Sequence, residues 1–160
     1  MEVSTDWNLL VQGYLSLNWC QETMKPSNQN KSVSSLLSEF KDKNAGTPPL
    51  NLGTMLSAAY LCLMYPQQSE FQNMDFSKID TSCFIVIEGE NGDSKYICRR
   101  IRNSLAHARF QIVDDLFVFF DQRTNGKIPF KAEIKIQAFG EFLNSFFFEA
   151  KEQHFNRIVT

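Results

Sequence analysis

Asp93-Ser94-Lys95-Tyr96-Ile97-Cys98-Arg99-Arg100-Ile101-Arg102-Asn103-Ser104-Leu105-Ala106-His107-Ala108-Arg109-Phe110 is the stretch on which the fold turns. Ile97, Ile101, Leu105 and Ala108 recur at helical spacing and form one apolar stripe. Asn91-Gly92 is a turn signal, and Asp93 or Ser94 can serve as an N-cap, so a helix is predicted to about Ala108. With Ile101 facing the core, Arg102 lies about 100° to one side and His107 about 120° to the other. Tyr96, Arg99, Asn103 and Ala106 fill the outward arc. The helix is thus expected to present Arg, Asn and His on its exposed side near its C-terminal end.

On either side of this helix the chain reads as further helices and one β element. Trp7, Leu10, Val11, Tyr14 and Leu17 predict a first amphipathic helix to about residue 24, stopped by Pro26. Ser32 opens a second, with Leu36, Leu37 and Phe40 on one face and Lys41 and Lys43 at its cation-favouring end. A third is expected from about Leu50 to Tyr65, in phase at Leu52, Met55, Leu56, Ala59 and Leu63. Residues 66–92 read as irregular with a buried segment, because Cys83-Phe84-Ile85-Val86-Ile87 is too short to assign by period. Downstream, Phe110, Ile112, Leu116, Val118 and Phe120 alternate, and Asn125-Gly126 precedes Ile128 to Phe130, which predicts a small antiparallel hairpin or meander. A last helix is expected from about Ala132 to Gln153, through Ile136, Phe139, Leu143, Phe146 and Ala150. The reading is one mainly α domain over residues 1–160, with about five helices and a β-hairpin before the last.

Composition narrows the function. The 160 residues hold 16 Lys+Arg against 18 Asp+Glu, a formal net charge of -2, so bulk charge does not drive binding to nucleic acid or membranes. The basic helix is a local exception, with Lys95, Arg99, Arg100, Arg102 and Arg109 uninterrupted by a carboxylate. Fifteen residues are Phe, eleven of them between Phe110 and Phe155, which excludes a disordered chain. Phe142, Phe147 and Phe148 spread the apolar arc of the last helix, and the hairpin plus a second subunit are expected to cover it. Cys20, Cys62, Cys83 and Cys98 lack metal or redox spacing and read as reduced, mostly buried thiols of a cytoplasmic protein without a secretory leader. No apolar run is long enough to cross a bilayer.

Arg and His in this arrangement suit phosphate chemistry. Arg grips phosphate oxygens and stabilises a phosphorane-like transition state. His titrates near neutral pH and is favoured in its protonated form at a helix C-terminus. Cleavage by an internal 2′-hydroxyl needs an acid and a base, whereas one helix supplies one His; two copies across a two-fold axis supply both.

Arg102-Asn103-Ser104-Leu105-Ala106-His107 resembles the Arg-x4-6-His motif of the HEPN superfamily, including the polar residue after the Arg. The string from Leu105 to Phe110 is similar to its defence-associated branches. The resemblance implies a HEPN-like helical bundle, a homodimer whose two motifs meet in a cleft, and, in active members, metal-independent RNA endonuclease activity in toxin, phage-defence or CRISPR-associated systems. It implies catalytic roles for Arg102 and His107, with Asn103 supporting them, and RNA contacts from Lys95, Arg99, Arg100 and Arg109. RNA and a cognate antitoxin or defence-system partner would be its macromolecular contacts, with no metal, cofactor or membrane. The alternative is a catalytically inactive HEPN-type module that binds RNA or a nucleotide, or a dimeric interaction module. One departure concerns regulation: the nucleotidylated toxin branch has Tyr two positions after the His, where this chain has Arg109.

Other constellations carry less chemistry. Ser104 and His107 have no oxyanion turn or third orienting residue. Asp114, Asp115 and Asp121 read as hairpin-turn residues rather than metal ligands. Gly89-Glu90-Asn91-Gly92 lacks the Lys-Ser/Thr of a phosphate loop. His154 is expected at the surface.

Overall fold

The structure is a computed structural model that describes residues 5–66, 68–122 and 130–158. It divides into two compact units, residues 1–58 and 59–160.

The first unit contains α1 (Thr5–Met24), a short 3-10 turn (Pro26–Asn28), α2 (Val33–Lys43) and nearly all of α3 (Leu52–Ala59). Ser32 caps α2 by accepting from the Ser35 N–H at 3.2 Å, as its position suggests. Leu36 and Phe40 are buried, and Trp19 meets Phe40 edge-on at 5.3 Å. The register of α1 is not the expected one: Val11, Tyr14 and Leu17 face solvent, while Gln12, Gly13, Leu15, Ser16 and Trp19 are at least half-buried. The cause is a close helix crossing. A Cβ on Gly53 would lie 2.5 Å from the Leu9 carbonyl oxygen, so α1 and α3 approach backbone to backbone. Asn51 secures that approach, its Nδ2 donating 2.9 Å to the Gln12 carbonyl.

The second unit opens with one turn of π-helix (Tyr60–Met64), followed by α4 (Gln68–Gln72), β1 (Ile85–Gly89), α5 (Ser94–Ala106), β2 (Phe110–Val113), β3 (Leu116–Asp121), β4 (Phe130–Lys135) and α6 (Ile136–Ile158). The strands form one antiparallel sheet in the order β1-β4-β3-β2. The chain is therefore mainly helical, but its β part is larger than a hairpin. Ile85–Gly89, unassigned by period, is an edge strand bulged between Val86 and Glu88. Ala132, placed in the last helix by its sequence, belongs to β4, where Phe130, Ala132 and Ile134 are buried at strand period. Asn125-Gly126 and Ile128 lie outside the described residues.

The inner sheet face carries Phe117 and Phe119 beside Ile134 and Ala132. Phe139 of α6 contacts both phenylalanines, at 5.0 and 5.2 Å, and the aromatic ladder continues through Phe142 and Phe146 to Phe71 and Phe76. Most of the Phe excess is thus core. Of the three phenylalanines that widen the apolar arc of α6, Phe142 is buried, meeting Phe84 edge-on at 4.9 Å, whereas Phe147 and Phe148 remain exposed. Asp114 takes φ 54 in the two-residue β2–β3 turn, bearing out the turn reading of the Asp114-Asp115 pair. Among the described residues, no helix is long and apolar enough to cross a membrane.

Candidate functional site

Helix α5 positions every candidate residue, and its own sequence explains how. Asp93 accepts from the Tyr96 N–H at 2.8 Å and starts it. Ile97, Ile101 and Leu105 are buried as expected, but Cys98, Arg102 and Ser104 are buried with them. The buried arc is wide because the helix packs against both β3 and the π turn. The helix ends in a Schellman motif: Arg109 N–H donates 2.8 Å to Ser104 O, and Ala108 N–H donates 3.0 Å to Leu105 O. Ala108 holds the left-handed position with φ 50, where glycine is the usual occupant.

Arg102 is 9% exposed and points inward. Its Nη1 donates to Leu63 O at 2.9 Å and its Nη2 to Pro66 O at 3.1 Å, while the guanidinium lies 4.7 Å from the Phe71 ring centroid. Burial lowers its pKa. The expected outward placement of this arginine is not found. Its donors meet one carbonyl of the π turn and that of Pro66, and the ring supplies a cation–π contact.

His107 has the opposite environment. It is the C-cap of α5, exposed, and contributes its backbone N–H to the Asn103 and Leu105 carbonyls. Among the described residues its imidazole makes no hydrogen bond, so the helix end is closed without it. Asn103, one turn earlier, donates its Nδ2 to Asp121 Oδ2 at 3.2 Å. Arg100 donates Nη1 to the same oxygen at 2.7 Å and stands 4.8 Å from the Tyr96 ring. Burial opposes the Arg100 charge, but Asp121 and Tyr96 outweigh it and raise the pKa.

The remaining cations divide similarly. Arg109 donates Nη1 to Gln122 O, and Lys95 donates Nζ to Gln72 O at 2.8 Å. Arg99 is exposed, 5.7 Å from the Tyr96 ring. A cavity of about 570 Å³ opens beside the start of α5, lined by Lys95, Tyr96 and Arg99 with Gln68, Gln72 and Glu90. Lys95 and Arg99 therefore come together at one end of the helix and His107 stands at the other, about 12 Å from Arg99 along the axis at 1.5 Å per residue.

Ser104 is buried and donates Oγ to Arg100 O at 2.9 Å, which removes it as a nucleophile for His107. His154 is exposed on α6, as expected. Two contributors were missed by sequence. Asp121 gathers Arg100 and Asn103, a role hidden because its place beside a turn signal suggested turn chemistry. Tyr60 donates its Oη to Leu105 O at 2.7 Å, and no local pattern connects residues 60 and 105.

A family model described as HEPN pEK499 p136 matches residues 1–157. No curated protein and no solved structure gives a significant match.

Proposed function

The chain belongs to the HEPN pEK499 p136 family, and from that premise we propose that it is a metal-independent RNA endonuclease acting as a homodimer, with His107 as the group that moves the proton. The exposed imidazole carries this reading: His107 caps its helix through the backbone alone, leaving the ring available at the negative end of α5. In the proposed reaction the ribose 2′-oxygen forms a bond to phosphorus while the bond from phosphorus to the 5′-oxygen breaks. One imidazole takes the 2′-hydroxyl proton, and the imidazolium of the second subunit gives a proton to the departing oxygen. The products are a 2′,3′-cyclic phosphate and a 5′-hydroxyl.

The roles of the other residues derive from their bonds. Arg99 and Lys95 guide the RNA backbone towards the helix, and Asn103 supports the His107 end. Arg102 acts as a positioning residue that holds α5 against the π turn. Arg100 and Arg109 order the helix flanks through Asp121 and Gln122. A single domain over residues 1–160 and a toxin or phage-defence setting, restrained by an antitoxin or defence-system partner, complete the proposal. The exposed Val11, Tyr14 and Leu17 and the exposed Phe147 and Phe148 support association with a second copy.

Incubating wild type and His107→Ala with mixed RNAs in EDTA tests the reading. Wild type should leave cyclic phosphate ends, and the variant should lose about 10²–10⁴ of the rate with its dimer intact. Equal cleavage by the two proteins would overturn it.

A second reading is favoured by Arg102, whose two terminal nitrogens are both committed to backbone carbonyls. On that reading the protein is a catalytically inactive module that binds RNA or a nucleotide, or a dimeric interaction module. Its RNA-binding form predicts no cleavage in any condition, with Arg99→Ala weakening binding and reducing the salt slope by about 1.

A further inference from the structure

The cavity of about 570 Å³ beside the start of α5 is of the size that small ligands occupy, about 300–1,000 Å³. Three polar side chains on its wall, those of Gln68, Glu90 and Arg99, are exposed and make no hydrogen bond or ion pair among the described residues. The Arg99 guanidinium only lies over the Tyr96 ring, 5.7 Å from its centroid. Lys95 stands one helical turn before Arg99 and spends one of its ammonium protons on Gln72 O at 2.8 Å, which leaves donors to spare. The loop that carries Glu90 is seated by shape. A Cβ on Gly92 would lie 2.8 Å from the Tyr96 ring, and Gly89 ends β1 at φ 97. Asp93, the other carboxylate on the wall, is committed through Oδ1 to the Tyr96 N–H at 2.8 Å.

We infer that this cavity is a base-selecting subsite for a guanine of RNA, with Glu90 as its specificity-determining residue. An ionised carboxylate offers two acceptor oxygens side by side and no donor. Guanine is the base that answers it with two parallel donors on one edge, N1–H and the 2-amino group. Adenine and cytosine each set one amino group beside a ring acceptor, and uracil sets one N–H between two carbonyls, so each turns an acceptor towards a carboxylate oxygen. Gln68, whose amide both donates and accepts, suits the remaining polar edge of the base. Arg99 and Lys95 supply cations for the flanking phosphates, and Phe71 and Tyr96 add an apolar wall. The subsite is about 12 Å from His107 along α5, or three to four nucleotides at the ~3.4 Å spacing of a stacked strand. Cleavage would therefore fall at a fixed short offset from a guanine.

The inference rests on RNA as the ligand of the proposed site, and binding tests it apart from cutting. Fluorescence anisotropy would compare wild type and Glu90→Ala on 2′-O-methyl uridine hexamers, which have no 2′-hydroxyl to attack, with guanosine, inosine, adenosine or uridine at one position. Wild type should bind the guanosine hexamer about 5–150-fold more tightly than the adenosine or uridine one, the discrimination of a two-bond base contact. Inosine keeps N1–H but lacks the amino group and should fall between. Glu90 is exposed and unbonded among the described residues, so its truncation spares the fold. Glu90→Ala should bring the four hexamers to within about threefold of one another without weakening the uridine hexamer. Arg99→Ala should weaken all four alike and reduce the salt slope by about 1. Equal binding of the four by wild type, a guanosine preference that survives in Glu90→Ala, or no binding of any hexamer would overturn the inference. A Glu90-dependent preference with no RNA cut in EDTA would uphold the subsite and remove the ribonuclease. Cutting that His107→Ala abolishes, with no guanosine preference in binding, would do the reverse.

Discussion

The guanidinium of Arg102 lies between backbone carbonyls and an aromatic ring, and that placement sets what its replacement should do. Arg102→Ala would remove the donors to Leu63 O and Pro66 O and the cation stacked on Phe71. The expected cost is about 2–4 kcal/mol, since buried acceptors lose charged donors. Chemical denaturation would measure it, and a loss below about 0.5 kcal/mol, the ordinary range for a surface substitution, would contradict the clamp. Arg102→Lys should recover only part, because a compact ammonium lacks the planar fork that meets both carbonyls. Ala108 sits two steps beyond the last α5 residue with φ 50. Ala108→Gly should therefore stabilise the protein by about 0.5–1 kcal/mol, the relief of a left-handed Cβ less the added freedom of glycine when unfolded. A lowered melting temperature would refute this. Alanine beside the exposed His107 keeps that strain at the end of the helix where the proposed proton carrier stands.

Individual elements depend on a few close contacts. The α1–α3 crossing leaves no room for a side chain at Gly53, so Gly53→Ala should cost about 1–3 kcal/mol by forcing the backbones apart. Gly46→Ala makes a useful contrast: it has open space but φ 80, so backbone strain alone should decide its cost. Asp121 joins β3 to α5 through Arg100 and Asn103. Asp121→Ala should cost about 2–3 kcal/mol by depriving Arg100 and Asn103 of their shared acceptor. A thermal melt within about 0.5 kcal/mol of wild type would mean that solvent replaces the bond freely. These contacts also explain which features the sequence could and could not reveal. The Ile97, Ile101 and Leu105 stripe was legible because three large side chains at one helical period leave a single burial direction. On α1 the apolar stripe misled, because the close approach of Gly13 to Gly53 turns Gly13 and Ser16, rather than Val11 and Tyr14, towards α3. β4 was obscured by its direct passage into α6 at Lys135 and Ile136, with no turn residue to mark the change of period. At the candidate site, the exposed position of His107 was legible from helical spacing alone. The inward course of Arg102 was not, since it depends on the carbonyls of Leu63 and Pro66, which no local pattern connects to α5.

At the scale of the whole molecule, the proposed chemistry needs more than one chain. One α5 offers one exposed imidazole, whereas cleavage by a 2′-hydroxyl needs a base and an acid. If the two come from different subunits, mixing distinguishes a shared site from two independent ones. Wild type and His107→Ala would be exchanged at equal amounts, with total protein fixed and subunits allowed to equilibrate. A composite site works only in dimers that carry two imidazoles, so activity should fall to about one quarter of the unmixed wild type. Independent sites would give about one half, because each wild-type subunit would work whatever its neighbour. The measurement must be made where His107→Ala dimerises normally, which its place at an exposed helix end favours. Dilution supplies the companion test: a composite site loses activity per chain as dimers dissociate, whereas a self-sufficient subunit keeps it. A result near one half, with activity unchanged on dilution, would remove the two-fold site while leaving His107 itself to be judged by its own substitution.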